Sequence, residues 1–160
     1  MKHLALILSI PPLLLTYANA APLVLIVRHA EKASTGGKDP DLSVQGQKRA
    51  DALAHILKDS QITSVFVTDF KRTQETAAPA ARAAHVSPTV IPANDIGALV
   101  EKLRALNGNA LVVGHGNTIP DLLKALGIAT PVSIPEDDYT EIFAVFVGDP
   151  PQLLRLHYPF

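Results

Sequence analysis

Short apolar runs alternate with longer stretches of helical periodicity through residues 21–160. The runs are rich in branched residues, which is typical of strands that are buried on both faces of a sheet. They predict strands at residues 23–27, 64–67, 89–91, 110–113, 141–147 and 153–158. The last two are joined across Gly148-Asp149-Pro150-Pro151, and such a tight connection predicts an antiparallel pair.

Four segments between these runs have apolar residues at helical spacing. The predicted helices cover residues 43–59, 70–85, 95–106 and 118–126. Ser43 is suited to cap the first helix, and Pro79 should kink the second or lie near a break in it. The alternation predicts an α/β fold: a single doubly wound, mostly parallel sheet with helices on both faces and an antiparallel strand pair near the C-terminus.

Composition restricts the classes of protein to consider. With 160 residues, 48% of them hydrophobic and 18% charged, the chain is large enough for one globular domain. Its formal net charge of −1 argues against a nucleic acid or an anionic membrane as partner, so any anion must be bound by a few local cations. The sequence has no cysteine, which excludes a disulfide, a thiolate nucleophile and a cysteine zinc site.

The first 20 residues have the pattern of an export signal: Lys2, a mostly apolar run over residues 4–15, and the small-x-small triplet Ala18-Asn19-Ala20. The run is shorter than the ~20 residues that span a bilayer, and two prolines would break a spanning helix. We therefore predict a signal peptide over residues 1–20 with cleavage after Ala20. Residues 21–160 would then be a periplasmic or secreted domain with no membrane span; a cytoplasmic protein that keeps the first 20 residues is the alternative.

Cationic side chains follow three of the predicted strands. Arg28 and His29 come directly after the first, Arg72 a few residues after the second, and His115 after the fourth. Each alone is commonly structural: a polar exit from a sheet, a solvated first helical turn, or a turn with a satisfied histidine. In a doubly wound sheet, however, ligands bind beyond the carboxyl ends of the strands, and there these four side chains should meet.

This combination of side chains suits a phosphoryl group. Arginine guanidinium groups pair with phosphate oxygens, and a neutral imidazole is a competent nucleophile toward phosphorus. We expect the two guanidinium groups to disfavour the imidazolium form of His29 and so to keep it unprotonated near neutral pH. The helix after His115 could also present backbone N–H groups to an anion.

Four segments carry a family resemblance: VRHAE at 27–31, DLSVQG at 41–46, TDFKRTQETA at 68–77 and VVGHGN at 112–117. In their order and spacing they resemble the histidine phosphatase superfamily, which includes the phosphoglycerate mutases, and especially its small phosphohistidine phosphatases. The resemblance implies that His29 attacks phosphorus and becomes a phosphohistidine. It implies that Arg28, Arg72 and His115 bind the phosphoryl oxygens, with Asn117 beside them, and that neither a metal nor another cofactor takes part.

The proton donor to the leaving group is a separate question. Many members of the family use a glutamate from an insertion after the second helix, and the phytase-like branch has an aspartate directly after the second histidine. This chain has no long insertion after the second helix, and the residue directly after His115 is Gly116 rather than an aspartate. Asp95 lies in the region of the insertion, although an aspartate at a helix start is also a common N-cap. Glu31 and Asp69 are the other candidates.

We therefore predict hydrolysis of a phosphomonoester or phosphoramidate through a phosphohistidine on His29, outside the cytoplasm. The short chain leaves little for a cap, so an open cleft could take a phosphorylated small molecule, a lipid headgroup or a phosphorylated protein. The alternative is a catalytically silent phosphate-binding protein of the same fold. His55, His85 and His157 are expected to be structural or surface residues, and Glu136-Asp137-Asp138 a solvated loop.

Overall fold

The computed structural model describes residues 21–158, which form six strands and four helices. The strands are β1 Leu23–Arg28, β2 Ile62–Val67, β3 Thr89–Val90, β4 Asn109–Gly114, β5 Glu141–Phe146 and β6 Gln152–His157. The helices are α1 Val44–Leu57, α2 Lys71–Ala84, α3 Ile96–Arg104 and α4 Ile119–Ala125. The predicted signal peptide over residues 1–20 lies outside the described residues.

All six strands belong to one sheet in the order β3-β2-β4-β1-β5-β6. The pairs β2–β3, β2–β4 and β1–β4 are parallel, whereas β1–β5 and β5–β6 are antiparallel. The carboxyl ends of β1, β2, β3 and β4 therefore lie along one edge, and the segment that leads into β5 reaches the same edge. This arrangement confirms the predicted doubly wound sheet with its antiparallel pair near the C-terminus.

Two hydrophobic clusters cover the two faces of the sheet. Val24 and Ile26 belong to the cluster that includes residues of α3 and α4, whereas Leu25 and Val27 belong to the cluster that includes residues of α1 and α2. Successive side chains of a strand point to opposite faces, and both faces of β1 are buried. Burial on both faces explains why the apolar run of β1 is uninterrupted.

The helix ends follow local chemistry in part. The Ser43 hydroxyl accepts a hydrogen bond from the backbone N–H of Gly46 at 3.0 Å, which confirms the predicted cap of α1. In contrast, α2 is continuous with Pro79 inside it, so the break that the sequence allowed is not observed. The α2 helix ends at His85, whose φ of 56° is left-handed and whose N–H bonds back to the last turn.

Within residues 21–158, no helix has the length and the apolar character needed to cross a membrane.

Candidate active site

His29 is the first residue after β1, and its backbone N–H donates to the carbonyl of Gly114 at 2.9 Å, so the ends of β1 and β4 are held together. The side chain is only 6% exposed, and its Nδ1 lies 2.8 Å from the carbonyl oxygen of Ala30. Because a carbonyl only accepts, Nδ1 carries the hydrogen. In the neutral ring, Nε2 therefore holds the lone pair that a nucleophile needs.

His115 occupies the corresponding position after β4, and its ring centroid lies 5.4 Å from that of His29. Its Nε2 lies 3.0 Å from the hydroxyl oxygen of Thr68, which in turn lies 2.9 Å from the hydroxyl of Thr73. The Phe70 ring packs edge-on against the imidazole at 5.2 Å between centroids. Residues at the end of β2 thus orient His115, a role that the sequence did not indicate for Thr68 or Phe70.

Arg28 links the end of β1 to the segment before β5. Its Nη1 donates to the carbonyl oxygens of Pro135 at 2.8 Å and Asp138 at 3.1 Å, and its guanidinium carbon lies 4.4 Å from the centre of the Tyr139 ring. The Nε of Arg28 is buried and has no hydrogen-bond partner among residues 21–158. A buried donor without a partner is costly, and a phosphate oxygen would satisfy it.

Arg72 lies in the first turn of α2 with its guanidinium carbon 4.2 Å from the centre of the Phe70 ring. Its Nη1 lies 3.5 Å from a carboxylate oxygen of Asp39, in the loop after β1. A guanidinium held between an aromatic ring and a partly exposed carboxylate keeps donors free for a second anion. Asp39 is a further residue of the site that the sequence pattern did not indicate.

Both histidines are neutral over most of the physiological range. Burial is the largest cause that lowers the pKa of His29 to about 4; the charges of His115, Arg72 and Arg28 act in the same direction, against the hydrogen bond to Ala30. Burial also lowers the pKa of His115 to about 4, with a smaller contribution from Arg72. Burial, rather than the two guanidinium groups expected from the sequence, is thus the main reason that His29 is neutral.

These groups line one open cleft with a volume of about 570 Å³. The five predicted catalytic and phosphate-binding residues are all on its wall: Arg28, His29, Arg72, His115 and Asn117. The other described residues that line it are Lys32, Gly116, Ile134, Glu136 and Tyr139. The tertiary structure thus brings together the side chains that the sequence placed after β1, β2 and β4.

The candidate proton donors from the sequence are engaged elsewhere and do not line this cleft. Asp95 caps α3, with its carboxylate accepting from the N–H of Ala98 at 3.0 Å. Both oxygens of Glu31 accept from the guanidinium of Arg49 at 2.7–3.0 Å. Burial raises the pKa of Glu31, but the hydrogen bond and charge of Arg49 outweigh it, and the net pKa is lowered. Asp69 accepts a hydrogen bond from the N–H of Ala93 at 3.3 Å.

The acidic run before β5 was expected to be a solvated loop; Glu136 and Asp137 are exposed, whereas Asp138 is partly buried. Glu136 lines the cleft, and the carbonyl of Asp138 binds Arg28. The Asp138 carboxylate accepts from both the N–H and the hydroxyl of Thr140 at 2.8 Å. Asp137 is exposed and does not line the cleft.

One group of metal-ligand type exists among the described residues, outside the cleft. Ligand atoms of Asp138, Glu141 and His157 lie within 4.8 Å of one another. The carboxylate of Glu141, however, already pairs with Arg155, and Asp138 is held by Thr140. Arg155 offsets the charge of Glu141, and the hydrogen bonds of Thr140 occupy an oxygen of Asp138.

The comparisons with known proteins agree with the fold. The model of the histidine phosphatase superfamily (branch 1) matches residues 24–95, which include His29, Arg28 and Arg72. Together with the sheet and the residues of the cleft, this match supports a relationship of the chain to the histidine phosphatase superfamily. A search of curated protein sequences found no match.

Solved structures share the fold at low sequence identity. A structure of the protein histidine phosphatase SixA complexed with tungstate has a TM-score of 0.71 and 23% identity, over 84% of this chain and 96% of that one. A candidate alpha-ribazole-5′-P phosphatase from Escherichia coli K-12 has a TM-score of 0.70 and 17% identity, over 86% and 98%. Mycobacterial glucosyl-3-phosphoglycerate phosphatase with VO3 has a TM-score of 0.64 and 16% identity, over 86% and 98%.

Proposed function

We propose that the protein is a phosphatase that hydrolyses phosphomonoesters or phosphoramidates through a phosphohistidine on His29. The observation that carries this proposal is a buried, neutral imidazole whose Nδ1 is bound to the Ala30 carbonyl, on a cleft that also holds two guanidinium groups. Such a group is a nucleophile at neutral pH without an accompanying base. The positive charges beside it suit a phosphoryl group as the electrophile.

In the proposed reaction, Nε2 of His29 attacks phosphorus, and the N–P bond forms as the bond to the leaving group breaks. Arg28, Arg72 and His115, with Asn117 at the rim, bind the phosphoryl oxygens and stabilise their charge in the transition state. Water then attacks the phosphohistidine, the N–P bond breaks, and inorganic phosphate leaves. His29 recovers its lone pair, and no metal or other cofactor takes part.

The substrate classes that we propose are a phosphorylated small molecule, a lipid headgroup and a phosphorylated protein. An open cleft of about 570 Å³ supports all three, because it leaves room for groups beyond the phosphoryl group. The relatives in fold are a protein histidine phosphatase and phosphatases of small molecules, which supports a phosphatase and leaves the substrate to experiment.

Hydrolysis of p-nitrophenyl phosphate in the presence of EDTA tests this function. We expect turnover by the wild type, loss of about 10³-fold or more in His29→Ala because the nucleophile is gone, and wild-type turnover in His55→Ala. His55 is a matched control because it is an exposed histidine on α1, away from the cleft. Equal activity of His29→Ala and wild type would refute His29 as the nucleophile. Phosphate binding without turnover would favour a silent binding protein. Loss of wild-type turnover in EDTA would refute the metal-free reaction.

The intermediate has a test of its own. Mass spectrometry after rapid quenching of the wild type with p-nitrophenyl phosphate should find a phosphoryl group on the peptide that contains His29. A phosphoryl group on another residue, or none during steady turnover, would argue for a different nucleophile.

We also propose that the enzyme acts outside the cytoplasm, in a periplasm or in the medium. This proposal is supported only by the composition of residues 1–20, with their apolar run and the triplet before Ala21. Sequencing the N-terminus of the native protein tests it: a start at Ala21 is expected, and an intact first residue on cytoplasmic protein would contradict it.

A further inference from the structure

We propose that Glu136 donates the proton to the leaving group. This inference rests on the proposed function, because it assigns the second group that phosphoester cleavage requires. Glu136 is the one carboxylate among the described residues that line the cleft of His29. The acidic residues considered from sequence cap a helix, bind Arg49 or accept a backbone hydrogen bond outside the cleft.

The position of Glu136 is fixed by Arg28, a residue that we place on the phosphoryl group. Arg28 donates to the carbonyls of Pro135 and Asp138, which stand one residue before and two residues after Glu136. The ring of Tyr139 packs against the same guanidinium at 4.4 Å. The backbone of residues 135–139 is therefore held against the cleft, while the Glu136 side chain itself is exposed and free to turn toward a leaving group.

Proton transfer accompanies both bond changes at phosphorus. As Nε2 of His29 forms its bond to phosphorus, the P–O bond to the leaving group breaks, and the carboxyl proton of Glu136 passes to the departing oxygen. The carboxylate that remains accepts a proton from the water that attacks the phosphohistidine.

A proton donor matters in proportion to the basicity of the leaving group. The p-nitrophenolate ion leaves without much assistance, phenolate needs more because phenol has a pKa of about 10, and an alkoxide needs the most. The test therefore compares kcat/KM of the full chain for p-nitrophenyl phosphate, phenyl phosphate and glycerol phosphate. Glu136→Gln removes the proton and retains the shape, and the adjacent Asp137→Asn is a control of equal charge change at an exposed position outside the cleft.

We expect Glu136→Gln to lose about 3-fold on p-nitrophenyl phosphate and about 100-fold or more on phenyl and glycerol phosphate, within the range typical of general acid catalysis. Asp137→Asn should match the wild type on all three substrates. Circular dichroism and thermal unfolding of both variants verify that the loop change leaves the fold intact.

Three results would overturn the role of Glu136. An equal loss on every substrate would indicate a binding or structural role, and a parallel loss in Asp137→Asn would indicate a general effect of loop charge. A wild type that hydrolyses p-nitrophenyl phosphate but neither of the other esters would show that no donor operates. A wild type inactive on p-nitrophenyl phosphate, in contrast, would refute the proposed function itself.

Discussion

The protonation state of His29 is a property of its surroundings rather than of the imidazole. The ring is buried at the end of β1 and two guanidinium groups lie near it, so burial and charge both disfavour the imidazolium form. The hydrogen bond to Ala30 limits this effect and selects the tautomer. A nucleophile that is neutral well below pH 7 needs no activation when the substrate arrives.

Titration of the imidazoles by NMR tests this environment. We expect midpoints at about 4 for His29 and His115 in the folded protein, whereas the unfolded chain should titrate near the ordinary value of about 6.5. Inorganic phosphate should raise both midpoints, because a bound anion stabilises the imidazolium form. His29→Ala assigns the signals, and a folded midpoint near 6.5 for His29 would contradict the desolvated site.

The hydroxyl of Thr68 is the group that holds His115 in place, because it lies 3.0 Å from Nε2 and is itself bound to Thr73. Thr68→Val removes this contact at similar volume, and we expect a loss of about 10-fold in kcat for p-nitrophenyl phosphate, equivalent to about 1.4 kcal/mol. Thr68→Ser retains the hydroxyl and should recover activity. Similar losses in both variants would show that the methyl group and its packing, rather than the hydroxyl, matter.

At the scale of elements, the site depends on how closely α1 approaches the segment after β1. The backbone N–H of Ser43 donates to the carbonyl of Glu31 at 2.8 Å, and a Cβ at Gly46 would lie 2.1 Å from that same carbonyl oxygen. Contacts under 3.0 Å do not occur for a Cβ, so only glycine fits there. The first turn of α1 thereby determines where the chain runs after His29.

Gly46→Ala measures this close approach. In a helix, alanine is more favourable than glycine by about 0.8–1.0 kcal/mol. The clash at Gly46 should outweigh this gain, so we expect the free energy of unfolding, measured in urea, to fall by about 1–3 kcal/mol. Gly97→Ala in α3 is the matched control, because its Cβ would meet only Asp95, at 3.8 Å. We expect that control to be stabilised by about 0.5–1 kcal/mol. Stabilisation of both variants would contradict the packing of α1 described here.

At the scale of the whole molecule, two buried histidines make the fold sensitive to acid. The folded protein binds protons at His29 and His115 only near pH 4, whereas the unfolded chain binds them near pH 6.5. Between these values the unfolded state holds more protons, so stability must fall as the pH falls. Well above pH 6.5 both rings are neutral in the folded and in the unfolded state, so they no longer make the stability depend on pH.

Urea unfolding at pH 7, 6 and 5 tests how the free energy of unfolding depends on pH. Each histidine contributes at most about 1.4 kcal/mol per pH unit, so a decrease of one to a few kcal/mol is expected between pH 7 and pH 5. The double variant His29→Gln, His115→Gln should have a flatter profile over this window. Below it, the lowered pKa values of Glu31 and Asp138 add a further loss of stability that the double variant retains. An unchanged slope in the double variant would contradict the assignment to these two rings.

The elements were largely predictable because each depends on a local pattern. The apolar run of β1 and the cap at Ser43 are examples, and both are confirmed. Boundaries differ by a few residues where the pattern is weak: β2 begins at Ile62 rather than at residue 64, across an irregular register with β4. The order of the strands was not predicted, because it depends on which distant strands pair.

The sequence by itself determined that cationic and imidazole side chains follow the parallel strands, since that order is written along the chain and a parallel sheet gathers the strand ends at one edge. Only the tertiary structure decided which carboxylate reaches them. Asp95 accepts a hydrogen bond from the N–H of Ala98 in α3, whereas Glu136 is brought to the cleft by Arg28, which bonds to Pro135 across 107 residues of sequence. Contacts over such separations depend on strand order and packing, and no local pattern records them.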